Sequence, residues 1–95
     1  MRVITNRRLL EFSAKHPDAG EPLQSWRGIM EGTTYRSFSE LRSSFRGVDK
    51  VNDLYVFNIG GNKYRLIAFV HFERKLCYIK HVLIHVEYDK GAWKK

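Results

Sequence analysis

Three apolar segments in the second half of the chain constrain its fold more than any other feature. They are residues 54–59, 64–72 and 76–84, each rich in aromatic and β-branched residues, the composition of strands. Gly60, Gly61 and Asn62, which tolerate positive φ, separate the first two, and Glu73, Arg74 and Lys75 form a short polar link between the second two. Links this short make hairpins, so the three strands are expected to form an antiparallel meander.

The first half reads differently. Arg2-Val3-Ile4-Thr5 has the pattern of a short strand, after which Thr5 or Asn6 can cap a helix carrying Leu9, Leu10, Phe12 and Ala14, ended by Pro17, Asp18 and Gly20. A second helix is expected over residues 22–31, with Leu23, Trp26 and Met30 on one face and Gly32 as the stop. Ser37 and Glu40 have capping-box spacing, and Phe38, Leu41 and Phe45 mark a short third helix. Residues 48–53 are polar enough for a surface loop, and residues 91–95 read as a frayed basic tail. The expected fold is α+β: an N-terminal strand and helices, then a three-stranded antiparallel meander, with helices on one face of the sheet and the other face free to work. Residues 1–95 make one domain, since a chain this short supports one core.

Composition narrows the partners. With 43% hydrophobic and 28% charged residues the chain is that of a folded protein. A net charge of +7 on 95 residues favours partners that present phosphates or carboxylates, nucleic acid first among them. Cys77 is the single cysteine, which excludes an intramolecular disulfide and a cysteine-rich metal site and suits a reducing cytoplasm. No apolar stretch has the length of a signal peptide or membrane span, so no membrane partner is expected.

Phosphate-binding glycine loops, nucleophile elbows and His-Glu-x-x-His spacing are all missing. His81 and His85, placed by strand alternation on one face, could begin a metal site, but no third ligand is evident, and the favoured reading of His71 and His81 is as histidines packed at strand ends. No cofactor is expected. Arg65 is the one charge in the apolar run Tyr64-Arg65-Leu66-Ile67-Ala68-Phe69-Val70. A half-buried arginine is costly unless paired, so it serves either an anion site or an internal ion pair with Glu87 or Asp89. The segment His85-Val86-Glu87-Tyr88-Asp89-Lys90 gathers an imidazole, a phenol and an ammonium. Those are acid, base and charge-stabilising groups in one place, enough for RNA cleavage, where the substrate supplies its own 2′-hydroxyl nucleophile. Taken by itself, such a segment is more often a polar chain end.

The stretch from Tyr55 to Leu66, with Phe57, Asn58, Gly60, Gly61, Asn62, Lys63 and Arg65 in it, followed by Cys77-Tyr78-Ile79 and the His85 to Lys90 segment, resembles the HigB toxins of the RelE superfamily. The resemblance implies a toxin of a type II toxin–antitoxin pair: a metal-independent endoribonuclease that cuts mRNA on the translating ribosome by 2′-hydroxyl attack. A helix-turn-helix, HigA-like antitoxin would neutralise it. By resemblance Arg65 contacts the phosphate and Tyr88 matches the tyrosine near the C-terminus of RelE toxins. Where RelE uses lysines and a second arginine, this chain offers Lys63, His85 and Lys90. An imidazole titrates near neutrality, which makes His85 the expected base and Lys63 the alternate. Asn62, Lys80, Lys90, Arg46 and Lys50 are the candidate substrate contacts. The rival reading is a non-catalytic basic RNA-binding module in which Tyr55, Tyr64 and Tyr78 stack on bases from a sheet face. A second rival is a protein-only domain whose basic face docks an acidic partner.

Overall fold

The computed structural model describes residues 1–94. Along the chain run β1 (Arg2–Ile4), α1 (Asn6–Lys15), a 3-10 turn (Pro17–Ala19), α2 (Gly20–Gly32), α3 (Phe38–Ser44), β2 (Asp49–Val51), β3 (Leu54–Ile59), β4 (Tyr64–His71), β5 (Leu76–Ile84), α4 (His85–Lys90) and a closing 3-10 turn (Ala92–Lys94). The strands form one five-stranded sheet in the order β1-β5-β4-β3-β2. The meander β3-β4-β5 is antiparallel as expected, with Phe57 opposite Leu66 and Phe69 opposite Tyr78. Gly60, Gly61 and Asn62 at the first hairpin all take positive φ, at 62°, 62° and 77°, which explains the residue types found there.

Two strands extend the meander. β1 pairs in parallel with β5, Val3 opposite Cys77. Residues 49–51, read as loop, add β2 antiparallel to β3. Asp49 and Lys50 are exposed; an edge strand keeps such charges, and they hide its strand character from a pattern search. α2 begins at Gly20, two residues before the expected Pro22, because the Pro17–Ala19 turn leads straight into it. α3 keeps its predicted cap, the Ser37 hydroxyl accepting from the Glu40 amide at 3.3 Å.

Alternation divides the sheet into two faces. On one, Leu9, Leu23, Trp26, Met30 and Leu41 from α1, α2 and α3 pack with Tyr55, Phe57, Tyr64, Leu66, Cys77 and Ile79. Phe57 is the hub, meeting Trp26 and Phe45 edge to face at 5.3 and 5.1 Å. The second face is not wholly open: Val56 and Ile67 are covered by Trp93, with Leu83 and Tyr88 beside them. Residues 91–94 are therefore no frayed tail. Gly91 ends α4 in a left-handed conformation at φ 71°, and the turn beyond it buries Trp93. Lys95, the last residue of that expected tail, lies outside the described residues.

Candidate active site

A bulge in β5 shapes the second face. Ala68 pairs with Ile79 but Ile67 pairs with His81, so Lys80 is an extra residue without a partner on β4. Its carbonyl accepts from the Arg8 guanidinium of α1 at 3.2 Å. The bulge resets the alternation, putting His81 and Leu83 on the same face as Tyr78, which an unbroken strand would not do. β5 then ends at Ile84 and the chain turns directly into α4, whose first turn is closed by the Glu87 carboxylate accepting from the Ile84 amide at 3.2 Å. His85 is thus the first residue of a helix, and the strand alternation that put it beside His81 does not apply.

α4 and the turn after it bring an aromatic lid onto Arg65. Trp93 stacks on Tyr88 with ring centres 5.3 Å apart and an interplanar angle of 13°, and its indole N–H donates to the Tyr88 carbonyl at 3.0 Å. The Arg65 guanidinium carbon lies 5.2 Å from the Tyr88 ring centre. Arg65 is half-buried, and its Nη1 donates to the carbonyls of Asn62 at 2.9 Å and Tyr64 at 3.3 Å. Among the described residues it has no carboxylate within ion-pair distance, so the internal pair with Glu87 or Asp89 is not formed. Glu87 caps α4 and Asp89 holds His85. With Nη1 fixed by backbone carbonyls, Nε and Nη2 are without protein partners among the described residues, a fork suited to two oxygens of one phosphate.

His85 and Asp89 stand one turn apart on α4, Nδ1 to Oδ2 at 2.8 Å. A carboxylate on Nδ1 fixes that nitrogen as the protonated one and leaves Nε2 as the acceptor. Both side chains are more than half exposed, at 55% and 59%, so a substrate can reach the free nitrogen. Tyr88, three residues on from His85, shares that helix surface. An open depression of about 360 Å³ beside α4 is lined by His81, Leu83, Glu87, Lys90, Ala92 and Trp93. His81 is half-buried, and burial, with Arg8 and Lys80 nearby, holds its imidazole below the ordinary value.

The remaining candidates divide. Lys90 joins this region from the last turn of α4, and Asn62 enters through its carbonyl. Lys63 turns to the other side, its Nζ 3.3 Å from Asp18, which also accepts from the Tyr64 hydroxyl. Lys50 lies over the Tyr55 ring at 6.0 Å, and Arg46 lines a depression with Phe38 and Arg42 of α3. Neither is brought to Arg65. Lys80 stands over Tyr78, 5.9 Å from its ring centre. The tyrosine platform of the RNA-binding reading is not assembled, since Tyr55 and Tyr64 are buried in the helix-side core and only Tyr78 is on the second face. Sequence reasoning missed Asp89 as a partner of His85 and Trp93 as a wall. The four-residue spacing of the former signals only once the segment is known to be helical.

No group of three or more His, Cys, Asp or Glu side chains able to hold a metal occurs among the described residues, and none of the described helices is long and apolar enough to cross a membrane. The pattern of a family described as HigB_toxin, RelE-like toxic component of a toxin-antitoxin system, matches residues 19–91. The chain is 32% identical over 93 residues to the mRNA interferase HigB of Escherichia coli (strain CFT073), covering 95% of this chain and 90% of that protein. It is 34% identical over 92 residues to the mRNA interferase HigB of Shigella flexneri, covering 94% and 88%.

Proposed function

Because the chain belongs to the HigB toxin family, the RelE-like toxic components of toxin–antitoxin systems, we propose that it is an endoribonuclease that cleaves mRNA in the cytoplasm, on the translating ribosome, residues 1–95 acting as one unit. A cognate antitoxin belongs with such a toxin; we assign it to the helix-turn-helix, HigA-like type.

In the proposed reaction the ribose 2′-oxygen attacks the adjacent phosphorus, the 2′-O–P bond forms and the P–5′-O bond breaks, leaving a 2′,3′-cyclic phosphate and a 5′-hydroxyl. His85 Nε2 takes the 2′-hydroxyl proton while Asp89 stabilises the imidazolium that results. Arg65 grips the non-bridging oxygens as charge builds on the phosphorane. Tyr88 orients that guanidinium and offers its hydroxyl to the leaving oxygen. Lys63, the alternate base, would first have to leave Asp18, which favours His85. The donor set of the site is cationic and protic, so the reaction needs no metal.

The observation that carries this reading is Arg65: a half-buried guanidinium with no acid partner among the described residues, beneath an aromatic ring on the helix that carries a His–Asp pair. Mapping RNA ends after brief expression tests it. New 5′-hydroxyl ends within coding regions support cleavage, and intact mRNA with arrested growth excludes it.

A further inference from the structure

Beyond the Trp93 wall, the second face carries aromatic rings that the core does not use. Phe69 and Tyr78 are cross-strand partners on β4 and β5, half-buried, and packed into neither apolar cluster. Their ring centres are 6.4 Å apart at 42°. His71, two residues along β4, lies 6.4 Å from Phe69 at 69°, and its Nδ1 accepts from the Arg74 amide at 3.2 Å, which holds the imidazole in place. Rings set this far apart and tilted leave gaps and faces unfilled by one another.

Cations surround this row. The bulge residue Lys80 stands over Tyr78. Arg2 on β1 is exposed and opposite Leu76, which is itself opposite His71. Arg74 is exposed in the turn that follows β4, next to Glu73 in sequence. Aromatic faces between lysine and arginine side chains match single-stranded nucleic acid, whose bases stack and whose phosphates need counter-charge. An acidic protein segment would satisfy the cations but leave the ring faces unused. Arg65 and Phe69 share a face of β4 four residues apart, about 13 Å at roughly 3.3 Å per residue, which spans about four nucleotides of a stacked strand and fewer of an extended one.

We propose that Phe69, Tyr78 and His71, with Lys80, Arg2 and Arg74 around them, form a base-stacking subsite that holds the single-stranded RNA on one side of the phosphate gripped by Arg65. The subsite rests on the RNA-cleavage reading for its substrate. It sets where along the strand the scissile phosphate falls, and it is indifferent to base identity, because every base has a π-face.

The test is binding of a short fluorescent 2′-O-methyl RNA, which cannot be cleaved, to full-length protein and to variants with confirmed wild-type melting. Phe69→Leu and Tyr78→Leu each keep the apolar volume but lose the ring, and each should weaken binding about tenfold with an unchanged salt slope. Tyr78→Phe should bind like the wild type, since stacking needs the ring and not the hydroxyl. Lys80→Ala should lower the salt slope by about one. Wild-type affinity in both leucine variants overturns the subsite, as does loss of antitoxin binding with RNA affinity intact, which would give this face to the protein partner. A wild-type protein that binds through the rings but never cuts RNA overturns the cleavage reading alone. One that binds no RNA overturns both.

Discussion

His85 shows how much one contact changes a residue's chemistry. Its Nδ1 is held by Asp89, so the other nitrogen must do any proton transfer. His85→Gln, which supplies a hydrogen-bonding amide in place of the imidazole base, should lower the cleavage rate by about 10²- to 10⁴-fold with little change in melting temperature, because the pair is exposed and surface pairs contribute little to stability. Asp89→Asn should cost less than His85→Gln, and a variant as slow as His85→Gln would mean that the carboxylate does more than orient. His81 makes a different prediction. Burial holds its folded pKa below the ordinary value near 6.5, so the unfolded chain takes up a proton first as the pH falls. The contribution of neutral His81 to stability is therefore complete above about 6.5 and is lost as the pH drops through the lower folded value. Melting against pH should show the loss in the wild type and less of it in His81→Gln; identical profiles would remove His81 as the cause.

Among the elements, α4 is the one on which the site depends, and its end is set by Gly91 at φ 71°. Gly91→Ala places a side chain in the left-handed region at a cost of about 1–2 kcal/mol. Trp93 lies two residues beyond, so the variant should lose activity through the Trp93–Tyr88 stack more than it loses stability. Melting and cleavage together report this, and unchanged cleavage would show that the stack is dispensable. The meander was legible because its segments are bounded by residues with fixed turn chemistry, Gly60, Gly61 and Asn62 above all. β2 was not, since an exposed edge carries Asp49 and Lys50 in place of an apolar pattern. The position of Arg65 in an apolar strand marked it from the sequence alone. Its freedom from Glu87 and Asp89 was not legible, because that depends on α4 turning each acid to a different partner. The bulge at Lys80 was also hidden, and with it the placing of His81 on the face of Tyr78: one extra residue leaves no mark in composition, yet inverts everything after it.

For the whole molecule, seventeen Lys and Arg residues against ten acids make association with RNA a matter of counterion release. With about six phosphate contacts, affinity should fall on the order of a thousandfold between about 50 and 200 mM salt, and a flat dependence would argue that the basic face serves a protein partner. Cleavage should persist in excess EDTA so long as compensating magnesium keeps any ribosomes intact; activity that zinc or manganese specifically restores would contradict a metal-free mechanism. The measurement that bears most directly on the account is parallel melting and mRNA end-mapping of Arg65→Ala and Arg65→Lys. Both variants should fold with near-native melting temperatures and bind the antitoxin. Arg65→Ala should be slower by about 10²- to 10³-fold, and Arg65→Lys should recover little, since an ammonium lacks the planar fork. An Arg65→Ala protein that cuts at the wild-type rate, or that is inactive only because it unfolds, would contradict it.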